Sequence, residues 1–158
     1  MDKVPSSYTG ARAAQPLDLR NAMDGRIYLS GWSVDPLGWR PYAQPALGEP
    51  VTLEPASRDA ALQFSTFLKN GSEVTEEDIR SFASEEGDID AACAVSYGPF
   101  QGLLLTKLHE TRWWRHWWLR LGRIHLYVTY NADIGVASRD HLFVNELLST
   151  LRGNSDEA

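Results

Sequence analysis

The chain has little of what would tie it to a membrane, an oxidising compartment or a recognised reaction. Its 158 residues contain one cysteine, Cys93, so no intrachain disulfide can form. No apolar run is long enough to span a bilayer, and the first 30 residues lack a basic start followed by an apolar stretch. Neither a membrane span nor signal-led secretion is expected, and the cytoplasm is the expected location. Positive charge is in deficit: 15 Lys and Arg against 21 Asp and Glu leave a net charge of -6 at pH 7. That balance disfavours non-specific attraction to nucleic acid or anionic lipid. No GxSxG, phosphate-binding glycine loop, dinucleotide fingerprint or HExxH occurs, and no pair of residues reads as a general acid and base. What is present, 43% hydrophobic and 23% charged residues, is the composition of a folded chain with one core.

Residues 1–20 show neither a helical nor a strand period and predict a mobile N-terminus. Residues 21–152 read as one domain and 153–158 as a disordered tail. Arg26 to Ser30 is the first candidate strand. Five of the eight prolines then fall between Pro36 and Pro55, which limits that stretch to turn, edge strand or extended loop, with a short strand at Val51 to Leu53. Residues 61–68 are rich in strand formers, and Lys69-Asn70-Gly71-Ser72 supplies a turn that needs positive φ. Thr75 followed by Glu76, Glu77 and Asp78 predicts a capped helix with Ile79, Phe82 and Ala83 on one face, stopped by Gly87. Ser138 is the predicted cap of a second helix, with Phe143, Val144, Leu147, Leu148 and Leu151 as its apolar stripe and Gly153 just beyond.

Between the helices, 100–108, 112–121 and 124–131 read as an antiparallel meander joined by Glu110-Thr111 and Gly122-Arg123. These loops set the pairing: partners sum to 221 in the first hairpin and to 245 in the second. One face then gathers Leu104, Leu108, Trp113, Trp117, Leu119, Leu121, Ile124, Leu126, Val128 and Tyr130, an apolar core face. The other carries three rows: Leu103, Trp118 and Tyr127; Leu105, His116 and Thr129; and Lys107 beside Trp114. The expected fold is α+β, an antiparallel sheet of five to six strands with helices packed on its faces as a helix-sheet-helix sandwich.

This order of strand, turn, helix, meander and closing helix over about 26–152 resembles the PsbP-like α/β/α sandwich superfamily. Trp117-Trp118-Leu119, Gly122 and the Tyr127-Val128-Thr129-Tyr130-Asn131 run look similar to its small bacterial members of unknown function. The superfamily includes an extrinsic photosystem II subunit, a nuclear-import factor that binds the GTPase Ran, and chaperones for type VI secretion effectors. The resemblance implies a bacterial protein that binds another protein and assigns no functional residue.

Four of the six tryptophans lie between Trp113 and Trp118, interleaved with cations. Alone, such a segment suits a membrane-active peptide or a base-stacking platform; within the register above it is first a central strand buried on both faces. Trp114, His116, Trp118, Arg120, His125 and Tyr127 share the mixed face and are the candidate partner-binding or ligand-binding residues. Eight acids in 73–90 and five cations in 107–125 are expected to pair within the molecule, the alternative being an acidic helix that docks on a basic partner. His109, His116, His125 and His141 have no metal-motif spacing, and no metal or cofactor is expected. Cys93 sits among alanines and Val95 and is expected to be buried.

The function expected is that of a non-enzymatic accessory factor for a protein partner, chaperone-like or immunity-type. The first alternative is a small-ligand binder using a pocket between the sheet and a covering helix. An unrecognised enzyme with His116 as base ranks last.

Overall fold

The computed structural model of the chain describes residues 8–9, 25–29, 31–42 and 50–154. The larger of two antiparallel sheets contains β1 (Tyr8–Thr9), β4 (Arg40–Pro41), β5 (Val51–Glu54), β6 (Ala60–Lys69), β7 (Cys93–Tyr97), β8 (Phe100–His109), β9 (Arg112–Leu121) and β10 (Ile124–Asp133). Seven of these run in the order β4-β5-β6-β10-β9-β8-β7, and β1 pairs with the end of β6. The smaller sheet is β11-β3-β2, formed by β2 (Ile27–Leu29), β3 (Trp32–Val34) and β11 (Arg152–Gly153). Two helices complete the fold, α1 (Glu76–Glu86) and α2 (Ile134–Leu148).

The α+β class is as expected, and the main sheet is larger than five to six strands. The surplus comes from short strands at its margins. β7 follows the acidic stretch without a clear alternation, and β4 holds a proline that only an edge can accept. Both hairpins take the expected register, with Gln101 opposite Arg120 and Ile124 opposite Leu121. Gly122 has φ of 55° at the second turn and Gly71 φ of 79° at the turn after β6.

Each face of the sheet has its own cover. Trp117, Leu119, Leu126, Val128 and Tyr130 point to one side, beneath α2 and the small sheet. From there Trp32 reaches across so that its indole N–H donates to Thr66 Oγ1 at 2.9 Å. β6 alternates strictly, with Leu62, Phe64 and Leu68 buried in this core. On the other side α1 packs Ile79, Phe82 and Ala83 over Leu105 and Trp118. Its start is a complete capping box: Thr75 Oγ1 accepts from the Asp78 N–H, and the Asp78 carboxylate accepts from the Thr75 N–H and from Lys69 Nζ at 2.6 Å. A three-layer sandwich results, with a small sheet sharing one outer layer with α2.

Several expectations need correction. The cap position of α2 is Asp133, five residues before the predicted cap Ser138, because β10 runs on to Asp133 and passes directly into the helix. The helix ends at Leu148. Leu151 is buried beyond it, and Gly153 lies in β11 instead of serving as a stop. Leu108 is 51% exposed, since it lies at the end of β8 past the reach of α2. Cys93 is exposed as the first residue of the edge strand β7, where the sheet has a pairing partner on one side only among the described residues. Of the segment 1–20 expected to be mobile, only Tyr8–Thr9 falls among the described residues, and it pairs as a strand. Of the predicted tail, Gly153 and Asn154 are described, and the Asn154 N–H donates to Gly31 O at 2.8 Å.

Candidate functional site

Alternate residues of β9 put Trp114, His116, Trp118 and Arg120 on the face that α1 covers, and β10 adds His125 opposite Arg120 and Tyr127 opposite Trp118. Successive same-face side chains of a strand lie close enough for rings to stack along it. Ring centroids are 6.0 Å apart for Trp114 and His116, 5.7 Å for His116 and Trp118, and 5.6 Å for Trp118 and Tyr127, with planes inclined by 27° or less. The six predicted residues therefore share one face, and four of them form a continuous stack.

Along this stack burial changes steeply. Trp118 and His125 are fully buried beneath α1, and the His125 ring is 4.5 Å from Phe82 and 5.7 Å from Phe67. These two are core residues, without the exposure a contact surface needs. Burial holds the His125 imidazole down at about 3, with Asp78 pulling weakly the other way, so it is neutral at pH 7. Trp118 Nε1 has no hydrogen-bond partner among the described residues. Arg120 stands apart, half-buried beside Glu76 and Ile79 in a cleft of about 280 Å³ along β7 and β8.

Past the last turn of α1 the stack opens. Trp114 and His116 line a cleft of about 360 Å³ with Glu86, Lys107, Leu108 and His109. Tyr127 stands behind His116, its hydroxyl 2.7 Å from Nδ1. Burial lowers the His116 pKa, Glu86 opposing and Lys107 assisting; burial, then Glu86, raises that of Tyr127. At pH 7 the two groups are neutral and share a hydrogen across this contact. α1 has three acids in its first turn and no base in its last, and Lys107 of β8 supplies the missing cation by donating from Nζ to the Glu86 carbonyl at 2.6 Å. The contacts differ from the expected pairing of 73–90 with 107–125: Lys107 meets a backbone carbonyl of α1 and not a carboxylate, and Asp78 takes its cation, Lys69, from β6.

The cleft offers a flat aromatic wall, a neutral imidazole, an ammonium group with two further N–H donors, and a carboxylate. Among the described residues, no three His, Cys, Asp or Glu side chains gather where a metal could be held, and no helix is long and apolar enough to cross a membrane. Sequence reasoning placed Lys107 beside Trp114 but missed Glu86 and His109, which reach the cleft only through the packing of α1 and the end of β8. It also missed a cleft of about 500 Å³ on the opposite face, between β8–β9 and α2, lined by residues that include Trp113, Arg115 and His141. The available signal was Arg115, a cation at an inward-facing position between Trp113 and Trp117.

No family model matches the chain, and no curated protein is similar to it in sequence. A crystal structure at 1.50 Å of a protein from Bacteroides thetaiotaomicron VPI-5482 is similar in fold, with a TM-score of 0.60 over 82% of this chain at 17% identity. This chain spans about half the length of that protein, 47% of which is covered. The likeness supports the α+β architecture and carries no activity with it.

Proposed function

We propose that this chain is a non-enzymatic binding protein whose site is the cleft beside the C-terminal end of α1. The ligand class is a small planar molecule with neighbouring hydrogen-bond donors and acceptors. One observation carries the reading: Trp114, half-buried and stacked on His116, stands in the same cleft as Glu86 and Lys107. The indole supplies stacking area and the two charged groups supply complementary hydrogen bonds at its rim. A volume of about 360 Å³ suits a ligand of this size, since small-molecule sites start at roughly 300 Å³. The PsbP-like resemblance and a bacterial cytoplasmic role belong to the same proposal and add no residue to the site. A protein partner docking on the aromatic face is the weaker reading, because Trp118 and His125 lie beneath α1.

The test is titration of the folded protein with adenine and 2-aminopyridine, followed by tryptophan fluorescence. Saturable quenching is expected, lost in Trp114→Ala with the melting temperature nearly unchanged and kept in Trp118→Phe. Quenching that survives Trp114→Ala, or none with either probe, would sink the reading.

A further inference from the structure

On the other face of β9, Arg115 is a half-buried cation that forms no ion pair with any of the described residues. Its guanidinium lies 5.8 Å from the centre of the Tyr130 ring, and Nη2 donates to His141 Nδ1 on α2. Among the described residues no carboxylate lies within 4.0 Å of it. The nearby acid, Asp140, is already engaged: its Oδ2 accepts from the Tyr130 hydroxyl at 2.8 Å and its Oδ1 from Arg139 Nε at 2.9 Å. Arg139 in turn donates to both carboxylate oxygens of Asp59, at 2.9 and 3.0 Å. A guanidinium has five N–H donors, and a partly buried cation left without a counter-charge is costly unless a ligand completes it.

Arg115 opens into the cleft of about 500 Å³ between β8–β9 and α2. Thr106, opposite it on β8, and Ser138 on α2 add hydroxyl groups, while Leu104 and Trp113 make the rest of the wall apolar. We propose that this cleft binds a small organic anion, with one carboxylate on Arg115 and an apolar body against Leu104 and Trp113. The observations favour a carboxylate over a phosphate. There is one cation to match one charge, Asp140 close by opposes a second negative charge, and most of the lining is apolar. The planar guanidinium suits bidentate pairing with a carboxylate. This site lies on the opposite face from Trp114 and does not depend on the reading of that cleft.

The experiment uses the whole chain, carboxylates from butyrate to phenylacetate, the matching amides, and inorganic phosphate. Binding is followed by calorimetry and by the His141 ring resonance in NMR. The carboxylates are expected to saturate and to shift His141, and the amides to bind about tenfold or more weakly, the loss of a charge-assisted pair. Phosphate at equal concentration is expected not to displace phenylacetate. Arg115→Met is expected to abolish binding, and Trp114→Ala to leave it unchanged. Ser138→Phe fills the cleft from an exposed helix position and keeps the test decisive should Arg115→Met unfold. Amides binding as well as carboxylates, displacement by phosphate, or undiminished binding in Ser138→Phe would each overturn the proposal.

Discussion

Trp118 offers the sharpest test of how the aromatic strand is used, through the pair Trp118→Ala and Trp118→Phe. The side chain is fully buried in a small cluster with Val74, Ile79, Phe82, Ala83 and Leu105, so truncation to alanine opens a cavity between α1 and the sheet. Such truncations cost about 3–5 kcal/mol. In a domain of this size each kcal/mol moves the melting temperature by roughly 2–4 °C, so a fall of roughly 6–20 °C is expected. Phenylalanine should behave differently for a reason specific to this site. Trp118 Nε1 is buried without a hydrogen-bond partner among the described residues, and such a group costs about 1–3 kcal/mol. Trp118→Phe removes that cost along with part of the ring, leaving a net loss of about 0–1.5 kcal/mol. Trp117→Phe is the control. Its indole N–H donates to the Tyr97 hydroxyl at 3.0 Å, and phenylalanine would leave that buried oxygen without its donor. Urea unfolding followed by circular dichroism should therefore rank Trp118→Phe mildest, Trp117→Phe next and Trp118→Ala worst. If Trp118→Phe costs as much as Trp118→Ala, the argument from the unbonded N–H fails. A Trp118→Ala cost below about 1 kcal/mol would mean that α1 does not bury this face.

Two further predictions concern the same sheet. With the His125 pKa held at about 3 by burial and near 6.5 when unfolded, the unfolded chain binds the extra proton between those values. The stability His125 contributes is fully present above pH 6.5 and falls as pH drops toward 3, by up to about 1.4 kcal/mol per unit, and His116 adds in the same direction. Melting temperatures between pH 7 and 4.5 should show this slope, and His125→Phe should flatten it; an unchanged slope in that variant would refute the assignment. Gly102 on β8 has no room for a methyl group: a Cβ there would overlap the Trp118 carbonyl oxygen and lie 2.9 Å from Leu119 Cα, both backbone atoms of the paired strand. Gly102→Ala should cost about 1–3 kcal/mol or more, and an unchanged urea midpoint would show that β8 and β9 are not held this closely.

The meander was legible in the residues because two short loops set a register, and a period of two then sorts every side chain to one face or the other. For the same reason the rows Leu103-Trp118-Tyr127 and Leu105-His116-Thr129 could be written from the sequence and recur in the structure. The bounds of α1 were legible, its start because Thr75 caps it through local backbone geometry; the helix stops at Gly87 as expected, although that residue is extended, with φ of 172°, and does not form a left-handed cap. Those of α2 were not, because its true start at Asp133 has no side-chain cap and follows from the continuity of β10.

What the sequence could not decide was how far each covering element reaches. β2 falls within the Arg26–Ser30 strand read from the sequence and pairs locally with β3, but β11 is two residues long and reaches β3 only by pairing between segments more than 100 residues apart, Arg152 with Ser33 and Gly153 with Trp32. Nothing local marks a strand as short as β11. The faces of β9 were known, but only the placement of α1 buries Trp118 and His125 and leaves Trp114 at a cleft. Only the placement of α2 brings His141 to Arg115 and leaves that cation facing open space. Alternation along a strand is a property of consecutive residues and can be read from them. Exposure depends on where a helix from elsewhere in the chain ends, and that is decided by tertiary packing.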